Sequence, residues 1–319
     1  MRTHVIVLTV ALASAALSAQ KSEPTLEQVM ERVGRYVASY GEKAAVVVAS
    51  EKYSQSVLVD GADMGRPRDL KAEFAIVRVA GGAWTGYRDV IEFEGKPVQD
   101  RKDRLVSLLT NAEGDASELI RIANESARFN LGPVSRNFNV PTAALFFFLP
   151  REHERFAFTR KAAKKIDGID TWEIEFRETK RPTLITTRAG KDVPIEGLLH
   201  VKPDDGTVVR TRFKMRNFAD VEASPEMRAP QQRPPTNPTG QVGTVEPIRP
   251  VETNKMQSEA DIEVTYAKPP GIDLWFPASM VELYQGPIQV RLAPVMARTT
   301  TRAKYSDFRQ FGTSIKIVQ

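Results

Sequence analysis

The stretch GLLHVKPDDGTVVRTRFKM, residues 197–215, decides the fold class of this chain. Gly197 to Val201 and Val208 to Met215 are each rich in β-branched or apolar residues, which is typical of strands. Pro203-Asp204-Asp205-Gly206 lies between them and has the residue types that favour a tight turn. The stretch therefore predicts an antiparallel β-hairpin.

A second hairpin has the same organisation. Arg155 to Thr159 and Thr171 to Phe176 are short alternating runs, and Asp167-Gly168 between them favours a turn. Side chains alternate between the two faces of a strand. We therefore expect one apolar face and one charged face, formed respectively by Trp172, Ile174 and Phe176 and by Glu173, Glu175 and Arg177.

Further strands are predicted on both sides of these hairpins by period-two patterns between Gly, Pro and Asp residues. They are Val46 to Val57, Leu70 to Ile76, Tyr87 to Phe93, Ile262 to Tyr266, Trp275 to Tyr284, Arg302 to Arg309 and a last short strand near Ile315.

A helical pattern is present at the start of the mature chain and again between two groups of predicted strands. Thr25 and Gln28 can form a capping box for a first helix that Gly41 is expected to end. An island of further helices is predicted at Asp100 to Leu109, Asp115 to Leu131 and Pro141 to Leu149. Three consecutive Phe in the last of these cannot face one core, so the segment is expected to be buried on more than one side or to border a greasy cavity.

The fold class expected from these patterns is α+β. One strongly curved antiparallel sheet, a half-open barrel, should wrap around two to four helices. We expect a single domain over residues 21–319. A flexible or polyproline-like loop is expected at 224–251, where seven prolines accompany almost no large apolar residue.

The first twenty residues predict a secretory signal peptide. Arg2 gives a basic start, Val5 to Leu17 is an apolar stretch too short to span a bilayer, and small residues follow where a peptidase can cut between 15 and 20. The chain is expected to be exported to the periplasm or the extracellular space. No later stretch reaches 18 apolar residues, so no transmembrane segment is expected after cleavage.

Composition excludes several classes of function. The chain has no Cys, which excludes disulfides, thiol catalysis, thiolate metal sites and lipid attachment at Cys. The net charge of +5 comes from scattered residues, and no basic stripe alternates with stacking aromatics. We therefore expect no nucleic-acid partner.

Catalytic and metal motifs are also missing from the sequence. Its two mature histidines, His153 and His200, lack metal-site spacing, and there is no Gly-x-Ser-x-Gly, Walker or Gly-x-Gly-x-x-Gly motif. Asp204 and Asp205 occupy a turn, where Asp is expected for backbone reasons. We predict no catalytic residue, no metal and no cofactor, and a hydrolase with distant catalytic residues stays only as a third hypothesis.

Large apolar side chains are the residues of this chain that most suggest a binding site. They predict a ligand site on the concave side of the sheet, while ordinary core packing is the competing explanation for each of them. The candidate ligand-binding residues are Phe74, Ile76, Phe93, Phe146, Phe148, Phe156, Phe158, Trp172, Ile174, Phe176, Phe213, Met215 and Trp275.

Three stretches resemble a known superfamily. Residues 197–211 are similar to the strand, Asp-Gly turn, strand unit of the lipoprotein carrier and lipoprotein-sorting proteins (LolA- and LppX-like). The segments 274–280 and 305–311 look like their closing strands. The resemblance implies a half-open barrel lined with apolar side chains, helices that form a lid, and binding of acyl chains without a cofactor.

The leading hypothesis is thus an exported cell-envelope protein that binds a lipid or a lipoprotein acyl chain without catalysis. The alternative is an envelope sensor or scaffold with a filled core, whose partner is another envelope protein. In that case the segment 224–251 is expected to dock the partner, because polyproline is a preordered ligand.

Overall fold

A computed structural model describes residues 23–45, 47–78, 84–101, 104–105, 116–131, 140–187, 190–216, 221–223, 258–290 and 293–310. The predicted signal peptide, the segment 224–251, the strand near Ile315 and most of the helix predicted over 100–109 lie outside these residues. Those predictions stay predictions.

The first helix, α1 (Leu26–Ala44), begins at the predicted capping box. The Thr25 hydroxyl accepts from the Gln28 backbone N–H, and the Gln28 side chain accepts from the Thr25 N–H. The predicted end at Gly41 is wrong, because the helix continues to Ala44. Gly41 lies inside the helix, where a Cβ would overlap the Trp84 indole. A glycine there permits close packing, at the usual cost in helix propensity.

The strands are β1 (Val47–Val59), β2 (Ala62–Asp63), β3 (Arg68–Arg78), β4 (Trp84–Phe93), β5 (Lys96–Pro97), β6 (Phe156–Ile166), β7 (Ile169–Glu178), β8 (Ile185–Thr187), β9 (Ile195–Val201), β10 (Val208–Arg216), β11 (Val221–Ala223), β12 (Glu259–Ala267), β13 (Phe276–Val290) and β14 (Ala293–Gln310). Both predicted hairpins are confirmed, as β6–β7 and β9–β10.

One antiparallel sheet contains twelve of these strands. Its order is β5-β4-β3-β1-β14-β13-β12-β10-β9-β7-β6, with β2 beside β1, and β8 and β11 form a separate pair. The last described strand, β14, lies between β1 and β13, so the first and the last described strands pair in the middle of the sheet. The terminal strands of this order, β5 and β6, do not pair with each other among the described residues, so the sheet stays open. The predicted α+β half-open barrel is confirmed.

The helical segments pack on the edge and inside of this sheet. They are α2 (Ala116–Ala127) and two 3₁₀ helices, η1 (Ala143–Phe148) and η2 (Pro150–Arg155). The segment predicted as a short helix over 141–149 is thus a 3₁₀ turn. Three residues per turn send the consecutive Phe side chains in three directions. All three are buried, as expected for a segment surrounded by the core.

The Phe side chains join η1 to both halves of the sheet. Phe146 stacks on Trp84 with ring centroids 4.5 Å apart, Phe147 lies 5.3 Å from Phe213, and Phe148 lies 5.0 Å from Phe176. Together with the apolar face of α1 they belong to one continuous cluster of buried residues. Within the part of the chain that the structure describes, no helix is long and apolar enough to cross a bilayer.

Candidate functional site on the concave face

The predicted ligand-binding residues lie mainly in the packed core. Phe93, Phe158 and Trp275 are half-buried. Those that are buried are Phe74, Ile76, Phe146, Phe148, Phe156, Trp172, Ile174, Phe176, Phe213 and Met215. The inward face of α1 covers this end of the concave side, with Val29, Val33 and Val37 fully inaccessible. Assignment of these residues to a ligand site stays a prediction, and the structure shows them packed against protein atoms.

A buried polar layer lies next to this core, and the sequence patterns did not predict it. Glu51 accepts two hydrogen bonds from the Arg88 guanidinium, one of them 2.7 Å from Nη2, and a third from the Tyr305 hydroxyl at 2.6 Å. Glu51 is 1% exposed and Arg88 is 8% exposed. Burial opposes the charge on Arg88, but the Glu51 carboxylate outweighs it and holds the pKa of Arg88 well above its ordinary value.

Glu282 continues the polar layer on the neighbouring strands. It is fully buried and accepts hydrogen bonds from the Tyr53 hydroxyl at 2.5 Å and the Tyr284 hydroxyl at 2.6 Å. The register aligns Gln55 with Thr301 and Thr301 with Glu282 across three strands, so these polar residues form one row. Buried carboxylates need such partners, because an unsatisfied one is costly.

The signal for this layer is present in the sequence of β1. Val47 and Ala49 belong to the core, and alternation places Glu51, Tyr53 and Gln55 on the same inward face. Polar residues at positions that should be apolar are the sequence mark of a buried network. Because Glu51, Tyr53 and Gln55 carry charged or polar groups, the apolar pattern of β1 gives no sign that they are buried.

An open cleft follows the polar layer, at the far end of β1. Its volume is about 390 Å³. The apolar part of its wall is formed by Val57, Val59, Leu131, Ile288 and Ala297, while Gln55, Met64, Gly65, Arg66 and Arg68 complete the lining. None of the thirteen predicted ligand-binding residues lines this cleft. The described part of the concave side is thus packed at one end and open at the other.

The segment after α2 forms one wall of the cleft. The Gln55 amide donates to the Phe129 carbonyl at 2.9 Å and accepts from the Leu131 N–H at 2.8 Å. The Phe129 ring lies 5.5 Å from the ring of Phe93. Gln55 therefore fixes this segment across the concave face and sets the shape of the cleft.

The helix α2 is held at the edge of the sheet. The Ser126 hydroxyl accepts from the Val90 N–H of β4 at 3.1 Å, which satisfies a backbone donor at a strand edge. Arg104 donates to both Asp89 and Glu125, and so links strand to helix. Burial raises the pKa of Asp89, although Arg104 and Arg101 oppose the shift.

The histidines lie away from the cleft. His153 contacts the Phe148 carbonyl through Nε2 at 2.9 Å, and His200 contacts the Glu173 carboxylate at 3.1 Å. Burial lowers the pKa of His200, and Glu173 opposes that shift. Among the described residues, no cluster of three His, Asp or Glu is arranged to hold a metal ion.

Comparisons with known proteins give structural neighbours only. No family model and no curated protein matches the chain. It is similar to the structure of a domain assigned to an outer membrane lipoprotein-sorting protein from Vibrio parahaemolyticus. The identity is 12%, the TM-score is 0.40, and the match covers 90% of this chain and 93% of the other.

Two further solved structures complete the comparison. A DUF1329 family protein from Desulfovibrio piger is 12% identical, with a TM-score of 0.34 and coverage of 90% and 94%. The MucA/MucB complex of Pseudomonas aeruginosa gives 11% identity, a TM-score of 0.21 and coverage of 89% and 99%. One of these neighbours is thus described by the name of the lipoprotein-sorting proteins, which residues 197–211 resemble.

Proposed function

We propose that the open cleft binds the hydrophobic part of a lipid or a lipoprotein acyl chain, without catalysis. The observation that carries the proposal is a cavity of about 390 Å³ with half-buried apolar walls, placed directly beside a packed core. Cavities of this size are typical of small-ligand sites. Burial of apolar surface is the main favourable term when a chain enters such a cavity.

Two arginines at the cleft supply a place for a charged head group. Arg66 and Arg68 belong to the lining, and among the described residues neither forms an ion pair. Arg68 also lies over the Phe93 ring, 5.7 Å from its centroid. A carboxylate or phosphate at the rim would pair with these guanidinium groups while the chain enters between the apolar walls.

The cellular setting is part of the proposal. The signal-peptide pattern of residues 1–20 supports export to the periplasm or the extracellular space. A carrier of this kind would hold an acyl chain away from water between membranes.

The test is a titration with a fluorescent fatty acid, together with native mass spectrometry of gently purified protein. Val57→Gln and Val59→Gln place an amide in the cleft wall. Each should weaken binding about tenfold, because roughly one apolar side-chain contact is lost.

Leu58→Gln is the matched control, because Leu58 lies between them on the opposite face of β1 and has similar burial. It should leave the affinity unchanged. A wild-type protein that neither carries nor binds an acyl ligand would refute the proposal, and so would equal losses in all three variants.

A second function is supported by the packed end of the concave side. An envelope sensor or scaffold needs a filled core and an external partner site, and the burial of Phe148, Phe176 and Phe213 fits that requirement. Deletion of residues 224–251 should then abolish capture of an envelope partner protein and leave the melting temperature nearly unchanged. If neither changes, the segment is only a spacer.

A further inference from the structure

The outer, convex face of the sheet carries many charged residues, and in one half of it they form ion pairs. The pairs on β6, β7, β10 and β12 include Lys161–Glu175, Lys164–Glu173 and Arg212–Asp261, with separations of 2.5, 2.5 and 2.6 Å. In these pairs a positive charge is balanced by a negative one.

The two central strands, β1 and β14, have a different outer face. Their buried residues Glu51, Tyr53 and Tyr305 lie on the inner face, so alternation puts the even-numbered residues of 50–58 and 298–306 on the outer face. These ten positions hold four exposed cations and no carboxylate. We call Lys52, Arg298, Arg302 and Lys304 the cationic surface. Within the part of the chain that the structure describes, none of the four forms an ion pair.

The strand register brings like charges of this face side by side. Lys52 is directly opposite Lys304 on β14 and directly opposite Lys71 on β3. Directly opposite side chains of antiparallel strands have Cβ atoms about 5 Å apart, and like charges at that position destabilise a sheet. Lys71 is compensated by Glu92 at 2.7 Å on its other side. The contact of Lys52 with Lys304 therefore costs stability, which an external anionic surface would restore.

Carboxylates border the cationic surface and do not interrupt it. Asp69 is exposed on β3, Asp307 lies where the register of β1 and β14 shifts, and Glu263 on β12 is directly opposite Arg212. The cationic surface is thus continuous along the two central strands.

Apolar side chains lie beside these cations on β13. Val281 is directly opposite Arg302, and Leu283 is directly opposite Thr300. Val281 is 40% exposed, and Leu283 is half-buried. Cations next to apolar side chains match a membrane interface, where phosphate groups lie just above the acyl chains.

We propose that the cationic surface docks the protein on a membrane that contains anionic phospholipids. A convex sheet meets a flat membrane at its middle strands first, and β1 and β14 are central in the strand order. Basic groups close to an anionic bilayer each add to binding, so these cations need not converge on one phosphate. None of the ten outward positions is aromatic, whereas protein interfaces are commonly anchored by Trp or Tyr. Docking goes beyond acyl binding in the cleft and does not depend on it.

The experiment is flotation of the mature protein with vesicles of equal parts phosphatidylglycerol and phosphatidylcholine, compared with vesicles of phosphatidylcholine alone. The wild type should bind the anionic vesicles more tightly, and this difference should shrink as the salt concentration rises. Lys52→Gln and Lys304→Gln should each weaken binding about fivefold, which is the contribution of one cation near an anionic surface. Val281→Ser should weaken it roughly threefold, because less apolar surface is buried.

Lys161→Gln is the matched control, because Lys161 is an exposed lysine of the edge strand β6. It changes the net charge equally and should bind like the wild type. Thermal unfolding separates a docking defect from misfolding. Lys52→Gln and Lys304→Gln should melt no lower than the wild type, because each removes a contact between like charges.

Failure of the wild type to prefer anionic vesicles overturns the proposal, and so does equal weakening in Lys161→Gln. Binding to polyglutamate without binding to vesicles assigns the surface to an acidic protein and also overturns it. A wild type that binds anionic vesicles but no fatty acid refutes only the acyl-binding proposal, so the two failures are distinguishable.

Discussion

Replacement of Trp172 by Ala tests whether the inner face of β7 is packed core or ligand-cavity wall. Trp172 is 4% exposed and lies beside Ala163 and Val201 on the neighbouring strands. The Arg160 guanidinium covers the ring at 3.5 Å from its centroid, and Arg160 is itself paired with Glu23 at 2.5 Å. Trp172 is thus buried on the apolar face that the sequence predicts for this strand.

The loss of stability expected for Trp172→Ala follows from these contacts. Removal of a fully packed tryptophan costs about 3 to 5 kcal/mol through lost transfer free energy and the cavity left behind. Loss of the cation–π contact is part of that cost and contributes about 0.5 to 1 kcal/mol at a partly exposed arginine. Rigid strands on both sides limit the collapse that would otherwise fill the cavity.

The assay is guanidinium unfolding of the mature protein, followed by far-ultraviolet circular dichroism. Trp275→Ala is the matched control, because the same side chain is deleted at a half-buried position and a smaller loss is expected. Arg160→Gln should cost no more than about 1 kcal/mol. A loss below about 1 kcal/mol for Trp172→Ala, a size typical of surface changes, would refute the core assignment. If that small loss came with loss of acyl-ligand affinity, Trp172 would belong to a cavity wall.

Three other predictions follow from buried groups. Burial lowers the pKa of His200 below its ordinary 6.5, so its contribution to stability is complete above that pH and is lost as the pH falls through the folded-state pKa. The free energy of unfolding should therefore fall from pH 7 to pH 5, and His200→Gln should flatten this slope. Glu282→Ala removes the carboxylate that accepts hydrogen bonds from the Tyr53 and Tyr284 hydroxyls and should cost roughly 2 to 4 kcal/mol in urea unfolding, with Glu282→Gln milder; equal stability of Glu282→Ala and wild type would contradict the buried layer. Gly41→Ala should lower the melting temperature in calorimetry, because overlap with Trp84 costs about 1 to 3 kcal/mol and exceeds the gain in helix propensity, whereas a higher melting temperature would show that the helix can shift.

Local patterns determined the secondary structure of this chain and its fold class. The Asp-Gly turns at 167–168 and 205–206 and the period-two runs beside them specified hairpins, because the turn conformation and side-chain alternation depend on neighbouring residues. The capping box at Thr25 likewise fixed the start of α1. The predicted end of that helix was wrong, because Gly41 is required by close packing against the Trp84 ring, which lies 43 positions further along the chain.

Only the tertiary structure decided where the concave side is filled and where it is open. Apolar residues such as Phe176 and Phe213 are equally suited to a core and to a cavity wall, and the difference depends on whether another element occupies the space in front of them. Here η1 and α1 occupy that space at one end. At the other end Val57 and Val59 remain half-buried around a cleft. The Glu51–Arg88 and Tyr53–Glu282 contacts arise in the same way, because they join residues 37 and 229 positions apart in sequence, which only the closing of the sheet brings together.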